Sequence, residues 1–121
     1  MKFKKIIFLS LCLFFLMMIV NMVRFQYGIS DGFWRTIMTP FEGTVWAPNF
    51  SESKFNQVMI LMNQSQVEAL LGNPVRKECG IDLCIWVYAT QNSGTADYDQ
   101  RWVIFDDKGK VREKRKSFFI D

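Results

Sequence analysis

The chain has 121 residues, with fifteen Lys and Arg against twelve Asp and Glu, and it contains no histidine. That length leaves room for one domain, and the missing histidine excludes Ser-His-Asp and Cys-His arrangements and the usual general base near neutral pH. The basic excess is local: Lys2, Lys4 and Lys5 account for all of it, and from Arg24 onward twelve basic residues meet twelve acidic ones. Nucleic acid is therefore not an expected partner.

Residues 1–5 form a basic start, expected to lie in the cytoplasm. Residues 6–23, Ile6 to Val23, follow as 18 positions without a charge, interrupted only by Ser10, Cys12 and Asn21. As a helix this run covers about 27 Å, close to the hydrocarbon thickness of a thin bilayer. The lysines before it outweigh Arg24 after it, which predicts that the rest of the chain lies outside the cytoplasm. Three readings of the segment compete. A cleavable signal has a shorter apolar run and small residues at its cut site, and only Gly28-Ile29-Ser30 offers one here. A lipidated Cys12 would need a small residue before it and a polar stretch after it, yet Leu11 precedes it and the apolar run continues. An uncleaved transmembrane helix fits best, placing the chain in the inner (cytoplasmic) membrane as a single-pass protein.

Residues 24–50 lack clean periodicity and are punctuated by Gly28, Gly32, Pro40, Gly43 and Pro48. They are too aromatic for a flexible spacer. Tyr27, Phe33 and Trp34 are expected as a headgroup-level belt, and Phe41 and Trp46 as a fold-back over the domain core. From residue 51 the pattern sharpens. Ser51 or Ser53 can cap a short helix that carries Phe55, Val58, Met59 and Met62 on one face. Asn63 with Gln66 forms a variant capping box. Val67, Leu70 and Leu71 then make a helical stripe, Gly72 suits a left-handed C′ position, and Pro74 blocks continuation.

After Pro74 the period becomes two. Strands are expected from Val75 to Glu78, Ile85 to Thr90, Trp102 to Asp106 and Val111 to Phe119. Gly109 serves the turn between the last two, and Gln91 to Asp99, with Gly94 at its centre, reads as an exposed hairpin loop. The predicted fold of residues 51–121 is α+β: two short helices packed on a three- to four-stranded antiparallel sheet, preceded by the N-terminal transmembrane helix. Cys79 and Cys84 flank a four-residue loop between antiparallel strands, where facing residues come close enough for a disulfide in an oxidising compartment. A metal site would have only two thiolates and no imidazole, so no metal and no cofactor are expected.

The acid pairs Asp97 with Asp99 and Asp106 with Asp107 fall in expected loops, where Asp favours turn hydrogen bonds. No enzyme activity is expected. Lys110, Arg112, Lys114 and Lys116 line the last strand. They form a candidate binding surface for anionic lipid or an acidic partner, or an edge strand whose lysines discourage stray pairing. Glu113, Asp106 and Asp107 dilute the charge and favour the edge. Trp86, Tyr88 and Trp102 read as packing residues.

The stretch from Ile60 to Pro74, with Val67, Leu70, Leu71, Gly72 and Pro74 in order, resembles the helix-turn signature of the SmpA/OmlA (BamE-like) family. Ile85-Trp86-Val87-Tyr88, Val103-Ile104-Phe105 and Gly109-Lys110-Val111 match its strand motifs, and the match covers about residues 55–119. The resemblance implies two helices on a three-stranded antiparallel sheet, in a bacterial envelope protein that supports outer-membrane assembly. Here an apolar run stands where that family carries a lipidation motif. The expected function is a membrane-anchored, non-catalytic extracytoplasmic interaction module of the cell envelope, with an envelope protein as partner. The alternative is an inhibitor-like or sensor domain that binds a secreted or periplasmic protein.

Overall fold

The computed structural model describes residues 1–39, 43–92, 95 and 97–120. The chain divides into two compact units, with the boundary between residues 40 and 41.

The first unit is helical. α1 spans Lys2–Phe25 and ends where Gln26 takes a left-handed conformation (φ 55°, ψ 42°) and donates its N–H to the Met22 carbonyl. α1 is long and apolar enough to cross a membrane, and none of its apolar window is buried. α2 spans Ile29–Met38, within residues 24–50, where the sequence predicts irregular structure. The reason lies in its packing on α1. Gly32 is buried, and a Cβ there would run into the Met22 side chain. One turn on, Thr36 Oγ1 accepts from Asn21 Nδ2 at 3.0 Å. Two flanks diverge from this central stripe. On one, the Arg35 guanidinium lies 4.5 Å over the Phe25 ring. On the other, Phe33 meets Phe14 edge-to-face at 5.8 Å. Phe14 and Phe25 are about 16 Å apart along a helix, so α2 runs across α1 and not alongside it.

The second unit is α+β. Its strands are β1 (Thr44–Trp46), β2 (Arg76–Cys79), β3 (Cys84–Gln91), β4 (Tyr98–Phe105) and β5 (Val111–Phe119); its helices are α3 (Glu52–Gln57) and α4 (Gln64–Leu71). All pairings are antiparallel. The order is β1-β3-β4-β5, and β2 also pairs with β3. Among the described residues the sheet thus has five strands where three or four are expected. The extra one is β1, in register through Thr44↔Gln91, Val45↔Thr90 and Trp46↔Ala89. Three residues carry no period of their own, and only the partner strand defines them. Trp46, expected to fold back, does so as part of β1 and tilts against Phe50 at 5.0 Å. Phe41 and Gly94 lie outside the described residues.

One buried cluster joins Phe55 of α3, Val67 and Leu71 of α4, Trp86 and Tyr88 of β3, Val103 and Phe105 of β4, and Val111 of β5. α4 follows its local signals. Asn63 Oδ1 accepts from the Gln66 N–H, and Gln66 Oε1 accepts from the Asn63 N–H, at 2.8 and 2.9 Å. Gly72 ends the helix with a positive φ, but its ψ of −161° is extended and not the left-handed cap expected. α3 begins at its Ser51 cap but stops at Gln57, so Met59 and Met62 are not on it. The chain there pairs instead with β5: Leu61 N–H donates to the Val111 carbonyl, and Val111 N–H to that of Met62, both at 2.8 Å.

Candidate interaction surface

β2 and β3 form a hairpin closed by Cys79 opposite Cys84, and the two sulfurs are within disulfide distance. Gly80 N–H donates to the Leu83 carbonyl at 2.8 Å across the turn. Ile81 stands at the tip with 97% of its surface exposed. A cleft of about 310 Å³ beside the tip is bounded by Gln64, Asp82, Asp106 and Asp107. The site therefore combines an apolar point with acidic neighbours.

Asp106 is held by its own turn. Its Oδ1 accepts the N–H groups of Lys108 and Lys110, both at 2.9 Å. These bonds, the one from Lys110 foremost, hold the carboxyl below the usual carboxylate range. A carboxylate stabilised in this way serves the turn that ends in Gly109, where φ is 73°. The other acid pair departs from expectation. Asp99 lies within β4 and is fully buried, and Asp97 is nearly so. Asp99 Oδ2 accepts from Thr44 Oγ1 at 3.1 Å, and Thr44 Oγ1 accepts from the Asp99 N–H at 2.9 Å. β4 begins four residues earlier than periodicity suggests, which takes Asp99 out of the loop.

The four basic residues of the candidate surface do not share one face. Lys110 sits in the turn and bridges to Asn63. Arg112 is the extra residue where the register steps from Phe105↔Val111 to Ile104↔Glu113. Lys114 turns inward and donates to the Phe55 carbonyl at 3.0 Å and that of Asn56 at 3.4 Å. These are carbonyls at the C-terminal end of α3, where a cation meets carbonyl lone pairs and the negative end of the helix dipole. Lys116 pairs with Glu52 at 3.3 Å. Burial pushes the pKa of both amines down; at Lys116 the nearby Glu52 carboxylate opposes this. β5 lies at the edge of the sheet order, and two of its lysines anchor α3.

Arg101 is the residue that sequence reasoning missed. It is fully buried, and its Nε and Nη2 both donate to Glu52 Oε1, at 2.9 and 2.6 Å. Its Nη1 donates to the Gln100 carbonyl at 2.8 Å, and the guanidinium lies 5.5 Å from the Trp46 ring centre. The available signal was parity. Arg101 shares its side of β4 with the core residues Val103 and Phe105, two and four positions on.

Tyr88 is also fully enclosed, and its hydroxyl donates to the Gly72 carbonyl at 2.9 Å. Burial first, and then the Glu68 carboxylate, raise its pKa far above the ordinary tyrosine value. Among the described residues no group of three Cys, Asp or Glu could hold a metal ion. No protein-family model matches this chain, and no curated protein sequence matches it.

Proposed function

We propose that the protein is a non-catalytic interaction module of the bacterial cell envelope, anchored in the inner membrane by α1 with its α+β unit outside the cytoplasm. The observation that carries this is α1, a 24-residue helix whose apolar window is unburied. Lys2, Lys4 and Lys5 at its start favour a cytoplasmic beginning. The cysteine pair in the second unit supports an oxidising compartment. The resemblance of residues 55–119 to the SmpA/OmlA family supports a role in envelope or outer-membrane assembly with a protein partner.

Ile81 at the tip of a disulfide-closed hairpin is the contact we assign to that partner. A pinned loop loses little conformational freedom on binding, so its exposed side chain is an economical anchor. The same tip supports a second reading, an inhibitor-like or sensor domain that inserts Ile81 into a secreted or periplasmic protein.

Two measurements test the proposal. Fractionation with protease protection should find the full-length chain in the inner membrane, digested only from outside. A chain shortened by about 3 kDa would show that the segment is a removed signal peptide. Photo-crosslinking from position 81 in cells should capture a membrane-associated partner; capture of a soluble secreted protein would favour the inhibitor-like reading.

A further inference from the structure

We infer that α2 is a second membrane element, lying in the outer headgroup region with its apolar flank on the lipid acyl chains. This rests on the reading of α1 as a span. Four contacts orient α2 against α1. Gly32 and Thr36 sit on Met22 and Asn21, Arg35 reaches Phe25 at the far end of α1, and Phe33 reaches back to Phe14.

The flanks of α2 differ in chemistry in the same sense. Ile29, Phe33 and Ile37 recur every four residues on the flank that points toward the middle of α1. Asp31, Arg35 and Thr39 recur at the same spacing on the flank that points toward its end. If α1 crosses the bilayer, the first flank faces hydrocarbon and the second lies toward the aqueous end of α1, with Thr39 exposed and Arg35 buried against Phe25, as suits a surface-lying amphipathic helix. Ile29, Phe33, Trp34 and Ile37 all remain exposed, so the chain leaves this apolar flank for the bilayer to cover. Trp34 has the amphipathic ring favoured at that depth. The arrangement also accounts for Asn21, a polar group within the span, whose amide donates to Thr36 of α2. Groups at membrane depth that find such a partner avoid the cost of an unsatisfied donor.

The test uses the full chain reconstituted in phosphatidylcholine–phosphatidylglycerol vesicles, in a Cys12→Ser background. Asp31→Cys should react with a membrane-impermeant maleimide at least about ten times faster than Ile37→Cys, as expected for opposite flanks of an interfacial helix. Bromines placed on the acyl chains should quench a component of the tryptophan emission that is missing in Trp34→Phe. Equal labelling at the two positions overturns the inference. So does protection of Ile37→Cys without quenching of Trp34, because protein would then cover the flank. Resistance of the chain to carbonate extraction separates the two readings. If the chain washes off, the span reading falls along with α2. If it stays and the labelling rates are equal, only the assignment of α2 falls.

Discussion

The two short helices of the α+β unit are held by different means. α4 is built from its own neighbourhood: Asn63 and Gln66 exchange hydrogen bonds at its start, Gly72 ends it, and Val67 and Leu71 are fully buried one turn apart. α3 has a Ser51 cap with a long 3.4 Å bond, and its six residues would not be stable as an isolated helix. It is fastened from 49 positions away by Arg101 on Glu52 and from 59 positions away by Lys114 on the Phe55 carbonyl. A helix is thus specified either by near residues or by far ones. Only the first kind announces itself.

Breaking the far attachment should cost the most. Arg101→Met strands a half-buried Glu52 carboxylate beside Lys116 and should lower stability by about 3–5 kcal/mol, the usual cost of removing one partner of a buried pair. The double variant Arg101→Met with Glu52→Met should recover part of that loss, since the carboxylate is removed along with the guanidinium and only Lys116, paired with Glu52 at 3.3 Å, is left without its partner. Urea unfolding of the full chain in detergent measures both. A single-variant loss below about 1 kcal/mol would assign the pair no more than the worth of a surface ion pair.

The near-specified helix should answer to packing. Leu71→Ala opens a cavity in the cluster and should cost about 2–5 kcal/mol. Its T-jump unfolding rate and urea midpoint should shift together with those of a sheet variant such as Val103→Ala if α4 and the sheet form one cooperative unit.

Tyr88→Phe comes next. It leaves the Gly72 carbonyl without its donor, for a loss of about 1–2 kcal/mol. A raised tyrosine pKa also predicts pH dependence. The phenol's contribution is fully present below the ordinary value of 10.0 and is lost as pH rises through the folded value. The wild-type chain should therefore lose stability as pH rises from 10.0 toward the folded value, and Tyr88→Phe should remove this component from the alkaline limb.

Asn63→Ala tests the capping box alone and should cost about 1 kcal/mol. A loss as large as that from Leu71→Ala would mean that α4 depends on its cap more than on its packing. The smallest effect belongs to Asp106. Its lowered pKa contributes stability that is present above the ordinary 3.8 and is lost as pH falls through the folded value. Asp106→Asn should flatten that acid limb. An unchanged acid titration would deny the carboxylate its role in the turn.

The candidate surface was legible to different depths. The cysteine pair could be read from four intervening residues, because a short hairpin brings its flanks together whatever surrounds it. The basic strand could be read as a strand and as an edge, but not as two inward lysines and an exposed bulge residue. A period of two assigns side chains to alternating faces only while the register is regular. The bulge at Arg112 shifts it, and α3 then determines what Lys114 and Lys116 meet.

By itself the sequence determined what depends on near neighbours: an apolar helix long enough to cross a membrane, the caps of α4, the turn at Gly109 and three of the strands nearly in full. It also determined the even charge balance from Arg24 onward. The tertiary structure decided the rest. β1 exists because β3 offers it a partner. α2 forms where Gly32 lets it lie against Met22, and Arg101 is tolerated in the core because Glu52 comes to meet it. In each case the deciding energy arises between residues far apart in the chain, and no local pattern records that they will meet.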